Sequence, residues 1–234
     1  MTIRVLIADD EALLRAAFAT VLDSQPDIRT VGEAADGAEA VRLTRALRPD
    51  VVLMDVRMPG TDGIEATRDV VRDVPGSRVL ILTTFDLDAH AFAALRAGAS
   101  GFLAKNTRPG DLLSAVRAVA AGDAAVSPRF TRRLLDHLAT HLPTTEEAPH
   151  AALLDRLTAR ERQVLTRIAG GLTNTEVASA LSLAEATVKS HLGRILRKLD
   201  LRDRVQAVVF AYESGLVRPD RGEHTPASGT GRVP

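Results

Sequence analysis

Four apolar runs in the first half of the chain, IRVLIA (3–8), VVLM (51–54), VLILT (79–83) and GFLA (101–104), lack the polar alternation that a sheet with one wet face requires. Strands of that composition have to be covered on both sides. A shorter candidate lies near IRTVGE (28–33), and stretches of helical spacing fall at 11–23, 37–47, 61–72, 87–97 and 109–121. Five strands, each followed by a helix, predict an α/β domain in which a parallel sheet is sandwiched between helices. Ligands of such sheets bind beyond the carboxyl ends of the strands, where the strand order reverses. The residues at those ends are therefore the first candidates for function.

The regularity stops after Gly122. FTRRLLDHLATHL (130–142) has the spacing of a helix, and PTTEEAPH (143–150) has the Pro, Thr and acidic content of a loop. The reading is a sheet domain over 1–122, a linker with a helix over 123–150, a helical domain over 151–216 and a disordered tail over 217–234. That tail has almost nothing apolar to offset the entropy of ordering. With 234 residues, two domains of ordinary size are expected. No segment reaches the roughly 18 consecutive apolar residues of a membrane span, and Asp9 interrupts the first run too early for a signal peptide. A cytoplasmic location with no membrane partner is expected. There is no cysteine, which excludes disulfides, thiol catalysis and cysteine-ligated zinc. Net charge is zero, yet residues 1–125 hold 14 basic and 18 acidic side chains whereas 151–234 hold 13 and 9. That asymmetry suits a cation for the first half and an anionic partner for the second.

Asp9 and Asp10 close the first run and Asp55 closes the third. One aspartate at a strand end is ordinarily a turn former or a helix cap. Three at one sheet edge repel one another unless a cation intervenes, and a hard, oxygen-ligated ion such as Mg²⁺ is the natural partner. Thr83 ends the fourth run with a hydroxyl and Lys105 follows the fifth with an ammonium. A metal, a donor and a fixed positive charge together surround a tetrahedral phosphoryl group. Asp55 is then the nucleophile toward phosphorus, and the backbone carbonyl of Arg57 or its neighbour is placed to complete the ion's shell. Pro59 and Gly63 restrain the loop between.

The segments IADDE, LMDVRMPGTDG, ILTTF and GFLAKN, at this spacing, resemble the receiver domain of bacterial two-component response regulators over residues 1–122. The resemblance implies a flavodoxin-like, doubly wound five-stranded sheet of order 2-1-3-4-5. It also implies phosphate transfer from a sensor histidine kinase to Asp55, Mg²⁺ held with the help of Asp9 and Asp10, and pairing of Lys105 with the phosphoryl group. Thr83 becomes the switch hydroxyl and Phe102 the aromatic side chain that reorients with it. Asn106 stands where the family commonly has proline. Hydrolases of the haloacid dehalogenase type also phosphorylate a strand-end aspartate but carry a second aspartate two residues later; here that position is Arg57, which favours a domain that is modified over an enzyme that turns substrate over.

In the second half Thr158 and Glu161 form a capping-box pattern for a helix over 159–169, Gly170 and Gly171 end it, and a short helix over 174–181 follows. A third, over 185–199, buries Val188, Leu192, Ile195, Leu196 and Leu199. Ala186, Lys189, Ser190, Gly193 and Arg197 line its opposite face, flanked by Thr187 and Arg194. Such a pair of helices suits a helix–turn–helix whose second helix enters the major groove. LTARERQVL, GLTNTEVA and TVKSH resemble the DNA-binding domain of LuxR-type regulators, the NarL/FixJ family. That likeness implies DNA contacts by Thr187, Lys189, Ser190, Arg194 and Arg197. It also implies a fourth helix within 205–215 that supports the core and dimerises through Val205, Val208, Val209 and Tyr212. Ala184, where the family usually has Ser, removes a helix cap, and Asp200 stands where Gly is frequent. The combined expectation is a transcription regulator, not an enzyme: phosphorylated by a kinase, a homodimer when phosphorylated, and reading inverted half-sites on double-stranded DNA.

Overall fold

The computed structural model describes residues 2–83, 93–122 and 151–217. The linker helix expected over 130–142, the start of the helix expected at 87 and nearly all of the tail lie outside the described residues. Five parallel strands, β1 (Ile3–Ala8), β2 (Ile28–Ala34), β3 (Val51–Asp55), β4 (Arg78–Thr83) and β5 (Gly101–Ala104), form one sheet of order β2-β1-β3-β4-β5. Helices α1 (Ala12–Asp23), α2 (Gly37–Leu47), α3 (Gly63–Asp73), the helical residues 93–96 (α4) and α5 (Pro109–Ala121) connect them. The doubly wound order places the switch point between β1 and β3, the two strands that precede the acidic residues.

The continuous apolar runs have a direct structural cause. Alternate residues of each strand feed two different cores: Leu6, Ala8, Val52, Met54, Val79 and Ile81 pack on one face, and Val5, Ile7, Val51, Leu53, Leu80 and Leu82 on the other. Both faces are dry, so neither register position tolerates a polar side chain. β2, at one edge of the sheet, is the less apolar strand and is buried only at Ile28 and Ala34, and its pairing with β1 shifts register between Val5 and Leu6.

The helical domain opens with a 3-10 turn over Ala151–Arg156, which the sequence pattern did not reveal. α6 (Ala159–Ala169), α7 (Asn174–Leu181), α8 (Glu185–Leu199) and α9 (Arg204–Glu213) follow. Thr158 and Glu161 cap α6 reciprocally as expected. Thr173 and Glu176 do the same for α7, a second box of the same form that was not singled out from the sequence. Ala184 leaves α8 without a side-chain cap, and Asp200 ends it in the left-handed region at φ 55°. That conformation explains why glycine suits position 200. No helix among the described residues is long and apolar enough to cross a membrane.

One glycine positions the loop beyond β3. A Cβ at Gly63 would lie 1.8 Å from the carbonyl oxygen of Asp55, while the Gly63 amide donates to Val56 at 2.9 Å. Only a residue without a side chain lets α3 start against the end of the strand that carries Asp55. Gly63→Ala is expected to lower stability by about 2 kcal/mol or more, the cost of forced overpacking, read as a drop in the urea midpoint. Ala184→Ser is expected to raise stability by about 1 kcal/mol by restoring the missing cap, measured the same way.

Candidate functional site

β1 and β3 end side by side, so the residues that follow them share one rim. One ligand oxygen from each of Asp9, Asp10 and Asp55 falls within 4.8 Å of the others. Asp9 is fully buried and Asp55 nearly so, whereas Asp10 is exposed. Into this cluster reaches Lys105 from the end of β5, with Nζ 2.9 Å from Asp55 Oδ2 and 2.8 Å from Asp9 Oδ2. The Lys105 side chain is itself buried. Its backbone amide donates to the Thr83 carbonyl at 2.7 Å, which ties the β5 terminus to the β4 terminus. Thr83 is buried at the carboxyl end of β4. The five residues singled out from separate strand ends thus stand at one edge of the sheet.

Charge does not balance there. At an effective dielectric of about 20, two carboxylates some 5 Å apart repel by roughly 3 kcal/mol, and one ammonium offsets only part of three such pairings. Asp9 Oδ2 meets a single ammonium, that of Lys105 at 2.8 Å, and no other donor among the described residues. A buried carboxylate oxygen so sparsely satisfied, beside two more carboxylates, is a fit for a hard cation. The Asp55 carboxyl responds to the same surroundings: burial pushes its pKa above the usual aspartate range, and the Lys105 ammonium pulls in the opposite direction without cancelling the rise. Burial works against the Lys105 charge as well, but its bonds to Asp9 and Asp55 leave its pKa raised.

Two neighbours of the site were not found by sequence reasoning. Glu11 Oε1 lies 3.5 Å from Lys105 Nζ, and Arg15 donates from Nη1 to the Asp9 carbonyl at 2.7 Å. The Asp9 side chain meanwhile accepts from the Glu11 amide at 2.9 Å. Arg57 is exposed on the loop after β3, and Phe102 is buried within β5, one register step below the pair formed by Leu82 and Leu103. The peptide preceding Asn106 is trans, as are all described peptides.

The second candidate surface is on α8. Lys189, Ser190, Gly193, Arg194 and Arg197 are exposed and Thr187 partly so, while Val188, Leu192, Ile195 and Leu199 are buried and Leu196 half-buried. Lys198, on the flank, pairs with the buried Glu161 at 2.7 Å. Burial disfavours the Glu161 charge, but Lys198 and the Thr158 cap outweigh it and hold the carboxyl below its ordinary value. Lys189 rests on Glu185 at 3.1 Å, an exposed pair that a phosphate can replace at little cost. On α9, Val205, Val208, Val209 and Tyr212 are all buried. The Tyr212 hydroxyl donates to the Ala169 carbonyl at 3.2 Å, and burial pushes its pKa up to about 12. In this state none of the four presents a free surface.

Comparison with known proteins agrees with both halves. Residues 5–117 match the response regulator receiver domain, and residues 155–211 match the bacterial regulatory proteins of the luxR family. The chain belongs to the two-component response regulators that join a receiver to a LuxR-type DNA-binding domain. Among its relatives are the uncharacterized transcriptional regulatory protein YxjL of Bacillus subtilis, 41% identical over 92% of this chain and 98% of the relative, and the transcriptional regulatory protein LiaR of the same organism, 40% identical over 92% and 99%. A solved two-component response regulator of the LuxR family from an Aurantimonas species is 38% identical, covers 58% of this chain and 97% of its own, and superposes with a TM-score of 0.55.

Burial of Asp55 has a measurable consequence: in the metal-free protein its carboxyl is expected to keep its proton up to a higher pH than an ordinary aspartate of pKa 3.8, which a carboxyl-resolved NMR titration without Mg²⁺ checks.

Proposed function

We propose that this regulator is switched by phosphorylation of Asp55 and that the switch controls how its helical domain binds double-stranded DNA. The observation that carries the reading is the direct contact of Lys105 with both Asp9 and Asp55 at the rim where Thr83 also ends. An ionised Asp55 oxygen attacks the phosphorus of a phosphohistidine on a sensor kinase; the new oxygen–phosphorus bond forms as the phosphorus–nitrogen bond breaks, and the imidazole leaves with the electron pair. Lys105 then exchanges its Asp55 contact for a phosphoryl oxygen, and the Thr83 hydroxyl donates to another. Asp9, Asp10 and Asp55, with the Arg57 carbonyl, are the residues that would hold Mg²⁺. When bound, that ion supplies charge neutralisation for the carboxylates and the phosphoryl oxygens. Phe102 follows Thr83, so that a local change of charge becomes a change of packing on β4, α4 and β5.

The DNA-reading surface is the exposed stripe of α8. Thr187, Lys189, Ser190, Arg194 and Arg197 meet phosphates and base edges, and Gly193 lets the helix approach closely. A single recognition helix reads few base pairs, so a homodimer reading two inverted half-sites supplies the specificity. We assign a cytoplasmic location on the same grounds, since the kinase's phosphoryl donor and the DNA are both found there. The domain limits follow the reading of 1–122 and 151–216 joined by 123–150.

Two measurements test this. Incubation with a small phosphodonor and Mg²⁺ is expected to add one phosphoryl mass to the wild type and none to Asp55→Asn; equal modification of both would overturn the site. Arg194→Ala is expected to weaken binding to genomic DNA fragments and to reduce the salt dependence by about one counterion if Arg194 meets a phosphate. An unchanged affinity and slope would remove α8 from the interface.

A further inference from the structure

The turn that carries Asp9 and Asp10 lies beyond the strand ladder, and one side chain takes over the ladder's task there. β1 ends at Ala8, whose partners are Ala34 of β2 and Met54 of β3. The Asp9 amide still finds the Ala34 carbonyl at 3.2 Å, but the Asp9 carbonyl lies past the last pair of the sheet. Arg15 supplies its donor, from Nη1 at 2.7 Å. Hydrogen bonds with a charged donor are about twice as strong as neutral ones, so this peptide is firmly held. Glu33, at the penultimate position of β2, braces the guanidinium from another edge, with Oε2 3.3 Å from Nε. The Arg15 side chain is only 16% exposed, so the fork is held between these partners rather than free in water.

The restraint matters because of what hangs from it. The carbonyl that Arg15 grips belongs to the peptide joining Asp9 to Asp10. Asp9 has other fastenings: its carboxylate accepts from the Glu11 amide at 2.9 Å and meets Lys105 at 2.8 Å. Asp10 is exposed, and no donor among the described residues meets its carboxylate. Rotation of that one peptide therefore carries the Asp10 carboxylate away from the 4.8 Å cluster that it now forms with Asp9 and Asp55. The start of α1 offers no substitute restraint, since its N-cap residue Glu11 makes no side-chain cap bond.

Charge alone argues the other way. Arg15 is the fourth residue of α1, near the end of the helix at which the dipole is positive, and it stands beside carboxylates that suit a cation. A guanidinium there repels the ion through space while its hydrogen bond organises the ligands. The two effects have opposite signs, so cation affinity tells them apart.

We propose that Arg15 is a positioning residue for the cation site: it locks the peptide between Asp9 and Asp10, with Glu33 as its brace, so that Asp10 meets the same divalent ion as Asp55. The proposal rests on the reading of Asp9, Asp10 and Asp55 as the residues that hold Mg²⁺. Arg15 acts through the backbone of its ligands and not on the ion. Loss of such an outer partner typically weakens a metal site by about 10- to 100-fold.

Mg²⁺ titration of the full chain, followed by amide NMR, tests this beside hydrogen exchange of the Glu11 amide in the metal-free protein. Arg15→Met and Arg15→Gln drop the fork but have helix propensities close to that of arginine, so α1 is retained; urea midpoints without Mg²⁺ check this, and either variant alone suffices. The wild type is expected to bind Mg²⁺ and both variants to bind it about tenfold more weakly. Arg15→Lys, which keeps a charged donor, is expected to bind more tightly than either. Exchange at Glu11 is expected to be faster in the Met and Gln variants than in the wild type, a loosening that mere removal of a charge does not produce. Equal or tighter Mg²⁺ binding by those variants is what Coulomb repulsion alone predicts, and it overturns the proposal. Unchanged exchange at Glu11, or a lysine variant as weak as the methionine one, overturns it as well. A wild type that binds no Mg²⁺ removes the cation reading itself and the positioning role with it, whereas variants that bind as well as a binding wild type remove only the role of Arg15.

Discussion

Three carboxylates and one ammonium held at a single edge of the sheet create a charge imbalance that the protein alone does not resolve, and most of the architecture serves to hold that imbalance in place. The order of strands puts β1 beside β3, so Asp9 and Asp55 are neighbours although 46 residues separate them in sequence. Gly63 allows α3 to begin against Asp55, and Arg15 and Glu11 fix the backbone and side chain of Asp9. The Lys105 backbone is anchored to the end of β4 through its amide, which donates to the Thr83 carbonyl. A site so assembled is poised to accept something that supplies positive charge, oxygen acceptors or both.

The same economy governs the helical half. Glu161 caps α6 and pairs with Lys198, which fixes α8 against α6 and leaves the remaining basic residues of α8 facing outward. Arg204 donates to Asn174 Oδ1 at 2.6 Å and to the Leu172 carbonyl, tying the start of α9 to the turn before α7. The reading surface is thereby held by side chains that face away from it.

Much of this was legible before any coordinates. The two dry faces of the sheet appear in the sequence as strands without alternation, and α2, α5, α6, α7 and α8 begin and end where spacing, glycine and capping residues place them. α3 begins two residues later than expected because Asp62, accepting from the amides of Ile64 and Glu65, is its cap. The second capping box at Thr173 and the 3-10 turn at Ala151–Arg156 were not seen, the first because its helix is only eight residues long and the second because such a turn has no apolar period. Glu11 and Arg15 escaped notice because each reads as an ordinary solvated charge until its partner is known.

The sequence by itself determined the elements, the two layers of core, the five chemistry-bearing strand ends and the basic stripe of α8, since each follows from residue type and spacing along one stretch of chain. Only the tertiary structure decided which charges meet, because the distance from Lys105 to Asp9 depends on how four connections fold back rather than on any local pattern.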